Sequence, residues 1–196
     1  MAHSDVEVCN AGLIAIGAKP IMSLSDNVKT ARLCKNRFEH CRDAVLRMHP
    51  WNCAIKRVVL SPLVGAPAFG FDARFQIPSD CLRVLTVSPE DDVEYRIESN
   101  EILADESSLD LKYIRQVVNS AELDEGAAES IGAYLAWKIA FSLTESATVE
   151  QIAEKNFEKT FKRAKTHDAQ EDDVVVIETD TWIGARQSEP IGRSNR

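Results

Sequence analysis

The chain has 196 residues, 44% of them hydrophobic, and a formal net charge of −8, with a sequence pI near 5.1. That length supports one sizeable core, or one core with a modest insertion, and excludes two full domains of ordinary size. The acidic balance repels a phosphate backbone on average, so gripping a duplex would require a local basic patch.

The opening Met1-Ala2-His3-Ser4-Asp5 has neither a basic leader nor an apolar stretch. No segment is apolar for long enough to span a bilayer, so the expectation is a soluble protein made in a cytoplasm, without a membrane partner. Ser4 with Glu7 three residues on reads as a capping box. Val6, Cys9, Leu13 and Ile16 then share one helical face, Gly17 supplies a left-handed stop, and Pro20 bars resumption. A second helix is expected from Ser25 or Asp26, with an apolar stripe of Val28, Ala31, Cys34, Phe38, Cys41, Val45 and Met48. Its other face carries Lys29, Arg32, Lys35, Arg37, Glu39 and Arg42 and reads as solvated. Pro50 ends it, because proline disfavours helical geometry at His49.

After Trp51 the pattern becomes β-like. Short runs are expected as strands at Lys56–Leu60, Ala73–Ile77, Leu82–Val87, Glu94–Glu98, Glu101–Ala104 and Leu109–Arg115, with a loop over residues 61–70 and a tight turn at Ser99-Asn100. Together they predict a small antiparallel meander. Helical periodicity returns at Asp124, where Ala128, Ile131, Leu135 and Ile139 share a face and Trp137, Ala140 and Phe141 cover much of the rest. Such a helix belongs in the middle of a packed body or against a partner. Thr148 with Gln151 predicts a second capping box, opening a helix with a stripe of Val149, Ile152, Ala153, Phe157, Phe161 and Ala164. The remainder is acidic around Val174-Val175-Val176-Ile177, then irregular.

The layout is therefore α+β, mainly α: a four-helix bundle with an inserted antiparallel β-meander and an extended C-terminal arm. Residues 1–55 and 120–168 would form the helical body, 56–119 the β insertion and 169–196 the arm. Trp51, Phe38, Leu135, Ile139, Phe157 and Phe161 are the expected core anchors.

The residues offer little chemistry. There is no phosphate-cradling glycine loop, no HExxH and no CxxC pair. The five cysteines, Cys9, Cys34, Cys41, Cys53 and Cys81, are odd in number and sit beside apolar residues, as buried free thiols do. Cys53 with His49 is the one pair that folding could bring together as a nucleophile and base. The basic run Lys155, Lys159, Lys162, Arg163 and Lys165 is interleaved with Glu150, Glu154 and Glu158, the pattern of a solvated helix face. Trp182 differs, lying in the irregular tail with Ile183, Arg186, Ile191 and Arg193. Apolar anchors and arginines there suit docking on another protein, and equally suit a tail folding back on its own body.

Several strings, in order along nearly the whole chain, carry a resemblance. They are Cys9-Asn10, Leu13 to Ala18, Ser23-Leu24-Ser25-Asp26, Arg42-Asp43-Ala44-Val45-Leu46-Arg47, and His49-Pro50-Trp51-Asn52. Ile77-Pro78-Ser79-Asp80-Cys81-Leu82-Arg83-Val84, Tyr95-x-Ile97-Glu98, Ile102-Leu103, Leu111-x-Tyr113-Ile114 and Trp182-Ile183-x-Ala185-Arg186 continue the set. This ordered set resembles the head-to-tail adaptor (tail tubular protein A) family of short-tailed phages and related prophages. The resemblance implies a non-enzymatic structural protein of the virion, without cofactor or metal, at the head–tail junction and made in the host cytoplasm. It implies a homo-oligomeric ring of about twelve subunits between the portal protein and the tail nozzle or tail tube protein. Genomic DNA would pass through the ring without specific binding. It also implies that a C-terminal arm embraces the portal, through Trp182, Ile183 and Arg186, with Ile191 and Arg193 as an extrapolation. An acidic lumen would let the duplex slide. Two other readings are a DNA-binding regulator using the helical region, which the acidic balance opposes, and a Cys–His hydrolase built on Cys53.

Overall fold

The computed structural model describes residues 3–88 and 93–171, to which all structural statements below refer. The order is α1 (Asp5–Ala15), α2 (Lys29–Met48), a 3-10 turn (Asn52–Ala54), β1 (Ile55–Leu60), β2 (Ala73–Gln76), β3 (Cys81–Val87), β4 (Tyr95–Glu98), β5 (Glu101–Ala104), β6 (Leu109–Arg115), a second 3-10 turn (Ser120–Glu122), α3 (Glu125–Thr144) and α4 (Ala147–Glu171). The protein is thus α+β, with four helices and two small antiparallel three-stranded sheets.

The strands do not pair as a meander. One sheet runs β1-β6-β3 and the other β2-β5-β4. Burial explains the rearrangement. β6 has four buried residues in seven and takes a central place, whereas β4 is exposed along its whole length and serves as an edge. The β4–β5 hairpin turns at Ser99-Asn100 as the sequence predicts, with Ser99 at φ 54°.

Two cores result. Leu60, Val87, Leu109, Leu111 and Tyr113 of the first sheet meet Phe75, Ile102 and Ala104 of the second. The helical core gathers Phe38, Trp51, Ile131, Leu135, Ile139 and Phe157, with Phe161 half-buried at its margin and Ile114 of β6 joining it. α3 lies centrally, packed against α1, α2 and α4. It crosses α1 so closely that a Cβ on Gly12 would stand 2.5 Å from the Gly132 carbonyl oxygen. Only glycine permits that approach.

Helix boundaries shift where side chains find other work. Ser4 and Glu7 form the expected capping box, and Gly17 takes φ 70° after α1. α2 begins at Lys29 rather than near Asp26, because the Asp26 carboxylate instead accepts from the backbone N–H groups of Met22 and Ser23. Val28 and Met48 end up exposed at its two ends. At α4 it is Ser146, not Thr148, whose hydroxyl accepts from a backbone N–H, that of Val149. Ile152, expected in the buried stripe, is exposed. α4 continues through Glu171, so residues 169–171 are helix rather than extended arm.

Candidate functional site

The chain turns from helix to strand at Pro50, and the end of α4 closes over that turn. Asp168 continues the buried stripe Phe157, Phe161, Ala164 at helical spacing, and it is itself buried. A buried carboxylate must find donors. Asp168 finds His49 Nε2 at 2.8 Å and the backbone N–H of Asn52 at 3.1 Å, while its own backbone carbonyl accepts from Asn52 Nδ2 at 3.1 Å. Trp51 beneath is fully buried, donates from Nε1 to the Val45 carbonyl, and meets Phe161 edge-on at 5.9 Å. The His49-Pro50-Trp51-Asn52 string thus ties α2, β1 and α4 into one junction, next to the point where residues 172–196 depart.

Arg42 completes the junction from below. The sequence places it on a solvated face, yet it is buried. Its guanidinium donates to Asp43 and to the Val118 carbonyl, and Gln116 donates to the same Asp43 carboxylate at 2.6 Å. α2 is thereby fastened to the chain leaving β6. Sequence periodicity missed Arg42 because an arginine within a charged face looks like its neighbours. Asp168 did carry a signal, as the one acidic residue in register with an apolar stripe.

The Cys53–His49 pairing is not formed. The Cys53 thiol lies 3.7 Å from Asp124 Oδ1, while His49 is engaged by Asp168. Burial pushes the Cys53 thiol up to about 11, and that of Cys41 likewise, which keeps both protonated at neutral pH and poor nucleophiles. Among the described residues no group of carboxylates, histidines and cysteines has metal-site geometry. Near the arm's root lies an open hollow of about 340 Å³ whose carboxylates include Asp124, Glu125, Glu129 and Glu171. Asp124 caps α3 by accepting from Ala127 N–H.

The second notable surface is at the far end of β1. Val64 is 97% exposed and Phe69 87% exposed, both in the loop before β2. The loop is nonetheless pinned. Arg74 donates to the carbonyls of Val64 and Gly65, Leu63 N–H pairs with the Arg74 carbonyl, and Asp72 N–H donates to Asp105. Gly65 and Gly70 turn the chain at φ 90° and 92°, where other residues are strained. Two large apolar side chains are therefore held out in water by a defined scaffold, beside a cavity of about 380 Å³ lined partly by Phe71, Arg96 and Leu103. The sequence shows this stretch only as a glycine- and proline-rich loop.

Of the arm anchors, Trp182, Ile183, Arg186, Ile191 and Arg193 lie outside the described residues. The core anchors Trp51, Phe38, Leu135, Ile139 and Phe157 are buried, and Phe161 covers Trp51 and stacks on Phe157 at 5.4 Å. No helix among the described residues is long and apolar enough to cross a membrane. No family model and no curated protein matches the chain.

Proposed function

We propose that this chain is a non-enzymatic structural subunit of a phage virion, a head-to-tail adaptor that joins the portal to the tail and extends the DNA channel. The ordered resemblance over nearly the whole chain supports this reading. So does one structural observation above the others: a single subunit presents two unlike, separated surfaces. One is the pinned loop with Val64 and Phe69. The other is the junction at His49, Asn52 and Asp168, from which the arm departs. The six residues of β1, about 20 Å at strand rise, separate them. A closed head-to-tail ring needs unlike, complementary faces, and exposed apolar side chains on a defined scaffold are the usual material of an interface.

In this reading the four helices act as the bundle-like body of each subunit in a ring of about twelve copies. The arm, through Trp182, Ile183 and Arg186 with Ile191 and Arg193, embraces the portal. The loop end meets a neighbour or the tail nozzle or tube. Part of the acidic excess lines the lumen, so that genomic DNA passes without being held. No cofactor or metal takes part.

The test is capture of the assembled cognate portal by the full chain and by a form ending at Glu171. Capture by the full chain alone supports both the adaptor and the arm's role. Capture by both forms leaves the adaptor and removes the arm from portal binding. Capture by neither overturns the adaptor reading, and specific DNA binding at low salt becomes the reading to pursue.

A further inference from the structure

β1 is an edge strand. It pairs with β6 on one flank and with no strand on the other among the described residues. Its register sets Arg57 opposite Lys112, and Lys112 opposite Thr86 on β3. Directly opposed residues of an antiparallel pair project from the same face about 5 Å apart, where like charges repel. Neither Arg57 nor Lys112 forms an ion pair among the described residues. Asp110, two residues before Lys112 and on the same face, sits opposite Val59 and neutralises neither within salt-bridge reach. These side chains border an open cavity of about 520 Å³, and Val59 is 66% exposed. The sheet thus keeps a repulsive cationic pair and a bare valine beside a free edge, an arrangement that an acidic, apolar strand would satisfy.

The chain carries such a strand and the fold delivers it there. Residues 171–180 read Glu-Asp-Asp-Val-Val-Val-Ile-Glu-Thr-Asp. Four β-branched residues in a row favour extended backbone, and carboxylates flank them on both sides. Asp168 holds the backbone N–H of Asn52, three residues before β1 begins at Ile55. Glu171, the end of α4, lies about 4.5 Å beyond Asp168 along the helix axis. A few extended residues, at about 3.4 Å each, reach the start of β1. The carboxylates of the hollow at the arm's root repel Asp172 and Asp173, and the cations of the sheet attract them.

We infer that residues 173–178 add to the free edge of the chain's own β1, as a fourth strand parallel to it. The strand enters at Ile55 and leaves near Leu60, with its carboxylates toward Arg57 and Lys112. Main-chain hydrogen bonds supply the attachment and the charge pairing selects the edge. Tethering makes the chain's own segment the occupant, because its effective concentration exceeds that of any free copy. Residues from Thr181 onward then depart at the loop end, beside Val64 and Phe69.

The inference needs no portal and stands apart from the adaptor reading, so it is tested on the isolated protein. Hydrogen exchange of the Ile55–Leu60 amides is compared between the full chain and full-length Val175→Pro and Val176→Pro variants. Adjacent strand residues point their N–H groups to opposite flanks, so one of the two prolines removes a donor facing β1. The form ending at Glu171 serves as the strandless reference, with α3 amides reporting an intact fold. The expected result is exchange about tenfold or more slower in the full chain than in the strandless form. That protection is lost in one of the proline variants and weakened by Arg57→Glu with Lys112→Glu. Equal exchange in the full chain and the strandless form overturns the inference. So does protection that grows with protein concentration, which would make a second copy the donor.

Discussion

Asp80 shows how a single polar residue acts where strands meet. Its carboxylate accepts from Lys56 Nζ and from Tyr113 Oη, each at 2.9 Å. Burial disfavours its charge, but the hydrogen bonds from Lys56 and Tyr113 outweigh that, and the carboxyl is held below its ordinary value. A carboxyl whose pKa is lower in the folded than in the unfolded chain stabilises the fold above the unfolded value, near 4. That contribution disappears as pH falls through the folded value. Thermal unfolding in an acid series should therefore show wild-type stability declining below about pH 4. Asp80→Asn should start lower at neutral pH and decline less over the same window. Parallel curves would show that Asp80 contributes nothing to the acid limb. Asp80 stands in one of the strings that carry the resemblance, yet its partners are far from it in sequence, so its role is a product of folding.

At the scale of elements, the α1–α3 crossing is the sharpest constraint. Gly12 and Gly132 let the two helices touch through their backbones, and the Val8 carbonyl lies 3.0 Å from a Cβ built on Gly132. Gly12→Ala would force the axes apart and loosen the packing of Leu13 and Ile131, both fully buried. A loss of about 2 kcal/mol is expected, read as a lower urea midpoint with an unchanged slope. A midpoint within error of wild type would mean the crossing relaxes freely. The α1 stop and the β4–β5 turn were legible in the sequence because local sterics and capping decide them. The start of α2 was not, because Asp26 had two local uses and the chain took the turn.

For the whole molecule, the question is whether two cores make two domains. β6 argues for one. Leu109, Leu111 and Tyr113 point into the core between the sheets, while Ile114 on the same strand belongs to the helical core. Leu82 and Leu85 of β3 also pack on the helices, while Val84 and Val87 face the second sheet. Neither core can open without disturbing a strand of the other. Phe75→Ala, at a site remote from every helix, should therefore lower the transition followed by the far-ultraviolet helix signal, by about 3 kcal/mol. Two separated transitions would instead make the insertion an independent folding unit.

The sequence by itself determined the kinds of element present and most of their limits. Periodicity, capping boxes, glycine stops and proline breaks act within a few residues, and so does the alternation that marks β6. It also placed the apolar anchors, because a stripe of large side chains has only one way to leave water. Tertiary structure alone decided which strands pair, since an edge or a centre is defined by neighbours distant in the chain. It likewise decided that Arg42 and Asp168 are buried fastenings rather than solvated charges, and that a glycine-rich loop holds Val64 and Phe69 rigidly in water. A charge reads the same in sequence whether water or a buried donor answers it, and only the fold brings that donor within hydrogen-bonding distance.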